Sequence, residues 1–105
     1  MVQLSVKALK QKMDRNESFT LLDVRELYER DICKLAPDQH IPMNQIPDRL
    51  GEIPKDKDLI VYCRSGGRSA NVCGFLEAQG FTNVYNLAGG ILAWSDDIDP
   101  TLQKY

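Results

Sequence analysis

The run Asp58-Leu59-Ile60-Val61-Tyr62-Cys63, followed at once by Arg64-Ser65-Gly66-Gly67-Arg68, restricts this chain more than any other stretch. A continuous apolar run rising out of the polar turn Lys55-Asp56-Lys57 reads as a strand in the middle of a sheet, covered on both faces. Beyond the glycines, Ser69 to Gln79 carries Ala70, Val72, Cys73, Leu76 and Ala78 at positions suited to a helix packed on that sheet, with Gly80 as its stop. The unit is strand, glycine loop, helix, and its helix returns the chain for a parallel neighbour.

The remaining segments fit the same plan. Val6, Leu9 and Met13 recur at helical spacing behind Ser5, an N-cap residue type, so residues 5–15 form an amphipathic helix. Phe19 to Val24 reads as a buried strand, and the charged stretch Arg25 to Asp31 as the polar segment that ends it. Pro37, Pro42, Pro47 and Pro54 leave room only for short elements, a strand at His40 to Pro42 and a helix near Asn44 to Leu50. Phe81 to Leu87 gives another strand, Gly89-Gly90 a turn, and Ile91 to Trp94 opens the last helix. Alternation of this kind predicts a single α/β domain over residues 1–105 with a parallel sheet.

Composition removes several function classes. Lys and Arg number 13 against 15 Asp and Glu, a net charge of −2 with no basic block, so nucleic acid is not an expected partner. No apolar run approaches the roughly 20 residues of a membrane span, and the amino terminus lacks a signal-peptide layout, which leads to a soluble, cytoplasmic expectation with no membrane partner. The three cysteines Cys33, Cys63 and Cys73 cannot all pair within the chain, and a single His40 without any Cys-x-x-Cys speaks against a zinc site. No metal is expected.

Cys63 is the residue with chemical potential. It stands at the carboxyl end of a buried strand and before the amino end of a helix, where unpaired N–H groups and the helix dipole favour an anion. A thiolate should be favoured there, with Arg64 and Arg68 adding positive charge. Gly66 and Gly67 permit positive φ, so that successive N–H groups can curve around one anionic atom. A cysteine ending a buried strand is also often a small hydrophobe, and glycines often mark only a turn. Two arginines beside one thiol weigh against that plain reading.

These residues resemble a known family. Cys63-Arg64-Ser65-Gly66-Gly67-Arg68-Ser69 is similar to the active-site loop of rhodaneses, Leu22-Asp23-Val24-Arg25-Glu26 to their upstream signature strand, and Asn86 to Trp94 to their closing Gly-Gly-x-x-x-Trp segment. The resemblance implies a small five-stranded parallel sheet flanked by helices on both faces, and a sulfurtransferase with no separate cofactor. By that resemblance Cys63 takes sulfane sulfur from a small anionic donor such as thiosulfate, or from a persulfide, and hands it to cyanide, a small thiol or a protein thiol. Arg64, Ser65, Gly66, Gly67, Arg68 and Ser69 would hold donor and persulfide, with Asp23 and Arg25 as an ion pair supporting the pocket. The segment Arg30 to Leu35 replaces the Gly-His-Ile stretch of many members, and no family role passes to His40. The tail from Trp94 to Pro100 is similar to the end of rhodanese domains fused to adenylyltransferases of sulfur-carrier proteins, which implies a protein acceptor.

Two other functions compete. A cysteine phosphatase or arsenate reductase needs five residues between cysteine and arginine to ring a tetrahedral oxyanion, whereas only four separate Cys63 from Arg68. A redox-sensing or partner-docking module would use the same low-pKa thiol without turnover. Either way the thiol at position 63 is expected to open to solvent rather than lie sealed beneath the sheet. Cys73, among apolar neighbours, is expected in the core, as is Trp94, and Cys33 is left unassigned.

Overall fold

Apolar alternation sorts the central strand between two cores. In the computed structural model, which describes residues 1–105, Leu59, Val61 and Cys63 join one buried cluster and Ile60 and Tyr62 the other. Both faces of that strand are therefore covered, which explains its unbroken hydrophobicity. The elements follow in the order β1 (Val2–Leu4), α1 (Val6–Asp14), β2 (Phe19–Asp23), α2 (Leu27–Ile32), β3 (Gln39–His40), two 3₁₀ turns (Met43–Asp48 and Leu50–Glu52), β4 (Asp58–Tyr62), α3 (Gly67–Ala78), β5 (Val84–Leu87) and α4 (Gly90–Asp97).

The sheet has five strands in the order β1-β5-β4-β2-β3, every pair parallel. The longest pairing joins the two most apolar strands, Phe19↔Asp58 through Asp23↔Tyr62. One face packs on α3 and the 3₁₀ turns through Leu22, Val24, Ile46, Val72, Leu76 and Phe81. The other packs on α1 and α4 through Val6, Leu9, Leu87, Ile91 and Trp94. The chain leaves β2 toward one edge and β4 toward the other, so the carboxyl ends of these neighbours form the switch point where open α/β sheets present their sites.

The structure corrects several boundaries. Val2–Leu4 is an edge strand on β5, in register Val2↔Tyr85 to Leu4↔Leu87, although three residues with an exposed Val2 carry no strand signal. The charged segment after β2 is the helix α2: Glu26 caps it, with Glu26 and Glu29 exchanging side-chain and backbone bonds as a capping box. Pro47 prevents the expected α-helix between residues 44 and 50, and the chain makes 3₁₀ turns there. The last strand begins at Val84 rather than Phe81, whose ring instead fills the core. Ser5 does cap α1, accepting a hydrogen bond from the Ala8 N–H at 3.1 Å.

Candidate active site

Cys63 directly follows β4, and its Sγ lies inside the turn that starts α3. The sulfur accepts hydrogen bonds from the Gly66 N–H at 3.1 Å and the Ser69 N–H at 3.4 Å, with the Ser69 hydroxyl also at 3.4 Å. Gly66 makes the turn possible with φ +105°, a left-handed conformation that aims its N–H back at the sulfur. Gly67 behaves differently: it is the first residue of α3, without positive φ and with open space where a Cβ would stand. The expected pair of left-handed glycines is thus a single one. Burial raises the Cys63 thiol pKa, but hydrogen bonding from Ser69 and from the N–H groups of Gly66 and Ser65 outweighs it and holds the thiol below its ordinary value.

The loop is braced from behind by α4. The N–H groups of Ile91 and Leu92 donate to the carbonyls of Cys63 and Arg64 at 3.0 and 3.1 Å. That approach requires Gly90, where a Cβ would stand 2.4 Å from the Arg64 carbonyl oxygen and 2.6 Å from that of Cys63. The Gly89-Gly90 segment therefore does more than turn the chain, because it sets the back wall of the loop.

The two arginines are not where the sequence reading put them. Arg68 points both terminal nitrogens at the Glu29 carboxylate, at 2.7 and 2.9 Å, and neither at the sulfur. Its pairing with Glu29 raises the Arg68 pKa first, and only a lesser share comes from the charge on Cys63. Arg64 swings outward, donating from Nε to the Tyr105 carbonyl oxygen at 2.8 Å, with its guanidinium 5.1 Å from the Tyr105 ring centre. Main-chain dipoles, rather than guanidinium groups, touch the sulfur.

Glu29, absent from the sequence reading, joins the pocket to α2. It is 2% exposed, and the Arg68 guanidinium, helped by Tyr105 Oη and the Glu26 N–H against the cost of burial, holds its carboxyl down to about 2. Asp23 and Arg25 form a fully buried bidentate pair, Nε to Oδ1 and Nη2 to Oδ2 both at 3.0 Å. Arg30 bridges Asp23 and Asp38 at 2.9 and 2.6 Å, and Tyr62 Oη donates to Asp38 at 2.7 Å. Arg25 also donates to the Cys33 carbonyl at 2.8 Å and to Tyr105 Oη at 3.0 Å, so Cys33 is part of this framework. His40 is tied by Nε2 to the Arg25 carbonyl oxygen at 2.7 Å. Cys73 is in the core, and burial lifts its thiol to about 12.

Access also departs from the expectation. Cys63 is 1% exposed, and none of the four surface pockets has it in its lining. The loop residues Arg64, Ser65 and Gly67 that follow it are exposed.

Asn86, also missed, reaches the site from β5. Its Nδ2 donates to the Gly66 carbonyl at 3.2 Å and to Gln3 Oε1 at 3.1 Å, and its Oδ1 accepts from the Ser69 hydroxyl. A buried amide in the otherwise apolar run Val84-Tyr85-Asn86-Leu87 was the signal in the sequence.

The Rhodanese-like domain family model matches residues 5–97. A protein of Allochromatium vinosum named sulfurtransferase is 40% identical over 93 residues, 89% of this chain and 87% of its own length. YtwF of Bacillus subtilis, provisionally named a sulfurtransferase, is 41% identical over 98 residues, 93% of this chain and 94% of its own. The crystal structure of a rhodanese-like domain protein from Staphylococcus aureus superposes with a TM-score of 0.86 at 31% identity, covering 100% of this chain and 99% of that one.

Proposed function

The chain belongs to the rhodanese-like domain family, and from that premise we propose that it takes sulfane sulfur from thiosulfate or a persulfide donor onto Cys63 and passes it to a thiophilic acceptor. The carrying observation is the placement of the Gly66 and Ser69 N–H groups on Cys63 Sγ. The Cys63 thiolate attacks the outer sulfur of thiosulfate, a new S–S bond forms, the old S–S bond breaks, and sulfite leaves with the electron pair. An acceptor, whether cyanide, a small thiol or a protein thiol, then attacks the outer sulfur and returns Cys63 as thiolate. Splitting transfer this way is covalent catalysis, and donors already aimed at the sulfur need no reorganisation as charge returns to it.

Phosphatase chemistry is not adopted, because the arginine it would need for an oxyanion is engaged by Glu29. The closed thiol favours one companion reading, a module whose Cys63 reacts only after a partner displaces the loop side chains. Mass spectrometry of the intact chain after thiosulfate treatment separates them. Gain of one sulfur atom, absent in Cys63→Ser, supports transfer. Oxygen adducts without sulfur uptake support the module and overturn the enzyme. Localisation in the cytoplasm belongs to the same proposal, alongside the observation that no helix is long and apolar enough to cross a membrane.

A further inference from the structure

The Ser69 hydroxyl carries one hydrogen and has two claimants, Cys63 Sγ and Asn86 Oδ1. Ser69 is fully buried and Asn86 is 2% exposed, which leaves the contest between side chains. The orientation of the Asn86 amide decides it. A backbone carbonyl can only accept, so the atom 3.2 Å from the Gly66 carbonyl oxygen must be the donor Nδ2; the reversed amide would set two acceptors against each other. Oδ1 therefore faces Ser69. As Oδ1 can only accept as well, the hydroxyl hydrogen lies between Oγ and Oδ1, and Oγ turns a lone pair toward the sulfur.

A thiol suits that lone pair, since its S–H can donate to Oγ. A thiolate does not. To receive the hydroxyl, Ser69 must rotate away and leave the buried Oδ1 unpaired, an outcome that is costly for a group with almost no exposure to solvent. We propose that Asn86 is a positioning residue acting on Cys63 through Ser69: it holds the hydroxyl as an acceptor while Cys63 is a thiol and opposes its turn toward the sulfur once the sulfur is an anion. The S–H proton goes to solvent on ionisation, and no other covalent bond changes. The anion is then held mainly by the Gly66 and Ser69 N–H groups, and Asn86 sets the resting balance between a closed thiol and a reactive thiolate. This inference rests on the reading of Cys63 as the reacting thiol.

The test is an NMR titration of isotope-labelled Cys63 Cβ in the full chain, for the parent, Ser69→Ala, Asn86→Leu and the double variant. Asn86→Leu frees the hydroxyl for the sulfur and should make Cys63 about tenfold more acidic, the scale of one hydrogen bond to a charged group. Ser69→Ala alone should change the ionisation constant less than about threefold, yet abolish the gain when added to Asn86→Leu. An equal effect of Ser69→Ala in both backgrounds overturns the proposal. Should Asn86→Leu fail to fold, Ser69→Ala decides alone: a loss of acidity beyond about threefold means the hydroxyl already serves the anion, and the proposal is wrong. Sulfur uptake by the parent is scored separately. Its absence would sink the transfer reading and leave the titration standing, whereas additive titrations would sink the role of Asn86 and leave transfer intact.

Discussion

Two regions meet at the carboxyl end of the sheet and treat charge in opposite ways. Around Cys63, one sulfur is held by main-chain N–H groups, and the side chains that surround that contact, Ser69 and Asn86, are neutral and bonded to each other. A short distance away, Asp23, Arg25, Glu29, Arg30, Asp38 and Arg68 form a continuous charged framework in which the guanidinium groups bind carboxylates, with Arg25 and Glu29 also bonded to Tyr105. The contrast has a physical reason. Fixed dipoles stabilise an anion without neutralising it, so the sulfur can gain and lose charge at little cost in reorganisation. Full ion pairs are rigid and hold the loop's supports in place, since breaking one leaves a charge without a partner. Thiol and ion-pair framework are thereby separated, and Arg68, the arginine expected beside the sulfur, is bound to Glu29 instead.

The largest test of that division is Asp23→Ala. It strips Arg25, fully buried, and Arg30 of a shared carboxylate, and removal of one partner from a buried pair costs about 3–5 kcal/mol. Denaturant unfolding should show the loss. A change below about 1 kcal/mol would mean that the framework is no more than the surface type of ion pair. Next comes Gly90→Ala, where a Cβ would meet the Cys63 and Arg64 carbonyls and the backbone holds φ +62°. Overpacking and left-handed strain together predict about 3 kcal/mol of destabilisation. Because α4 must then retreat from the loop, sulfur uptake should fall with stability, whereas the Asp23 variant, if still folded, should retain uptake better than stability.

Glu29→Gln follows, with an effect of about 2 kcal/mol from weakened charged hydrogen bonds to Arg68. Its signature is in pH. The Glu29 carboxyl is lowered from the ordinary 4.5 to about 2 by Arg68, so in the window between those values the unfolded chain binds a proton that the folded chain refuses. The stability contributed by Glu29 is complete above about pH 4.5 and is lost as pH falls toward 2. Thermal unfolding across this range should be less steep in pH for Glu29→Gln than for the parent. Equal slopes would remove Glu29 from the scaffold.

Legibility in the sequence follows the range of the interactions. β2, β4 and α3 could be read because burial on both faces leaves an apolar run and a glycine stop that are local in the chain. β1 could not, since its partner is supplied by β5 more than eighty residues on and its own three residues bury little. α2 was hidden because Glu29 is buried by an ion pair to Arg68, so a charged residue occupies an inward position. In the site, Cys63, Gly66 and Ser69 are close together in the chain and show in the spacing, whereas Asn86, Glu29 and Tyr105 arrive from other elements. The direction in which an arginine points is not a property of its neighbours in sequence: Arg68 is drawn to Glu29, thirty-nine positions earlier.

The smallest predicted effect probes the glycine pair at the head of the loop. Gly66 has φ +105° and supplies the N–H nearest the sulfur, whereas Gly67 is helical, with nothing within 4 Å of where a Cβ would project. An alanine at Gly66 must adopt a strained left-handed backbone. At Gly67 it only restricts the unfolded chain, which stabilises by about 0.4–1 kcal/mol when the native conformation is compatible. Gly67→Ala should therefore raise the unfolding midpoint slightly and Gly66→Ala lower it, both measured by denaturant titration. Equal losses at the two positions would mean that the cradle around Cys63 needs freedom at both residues, and that a single left-handed turn is too small a description of how the loop closes on its sulfur.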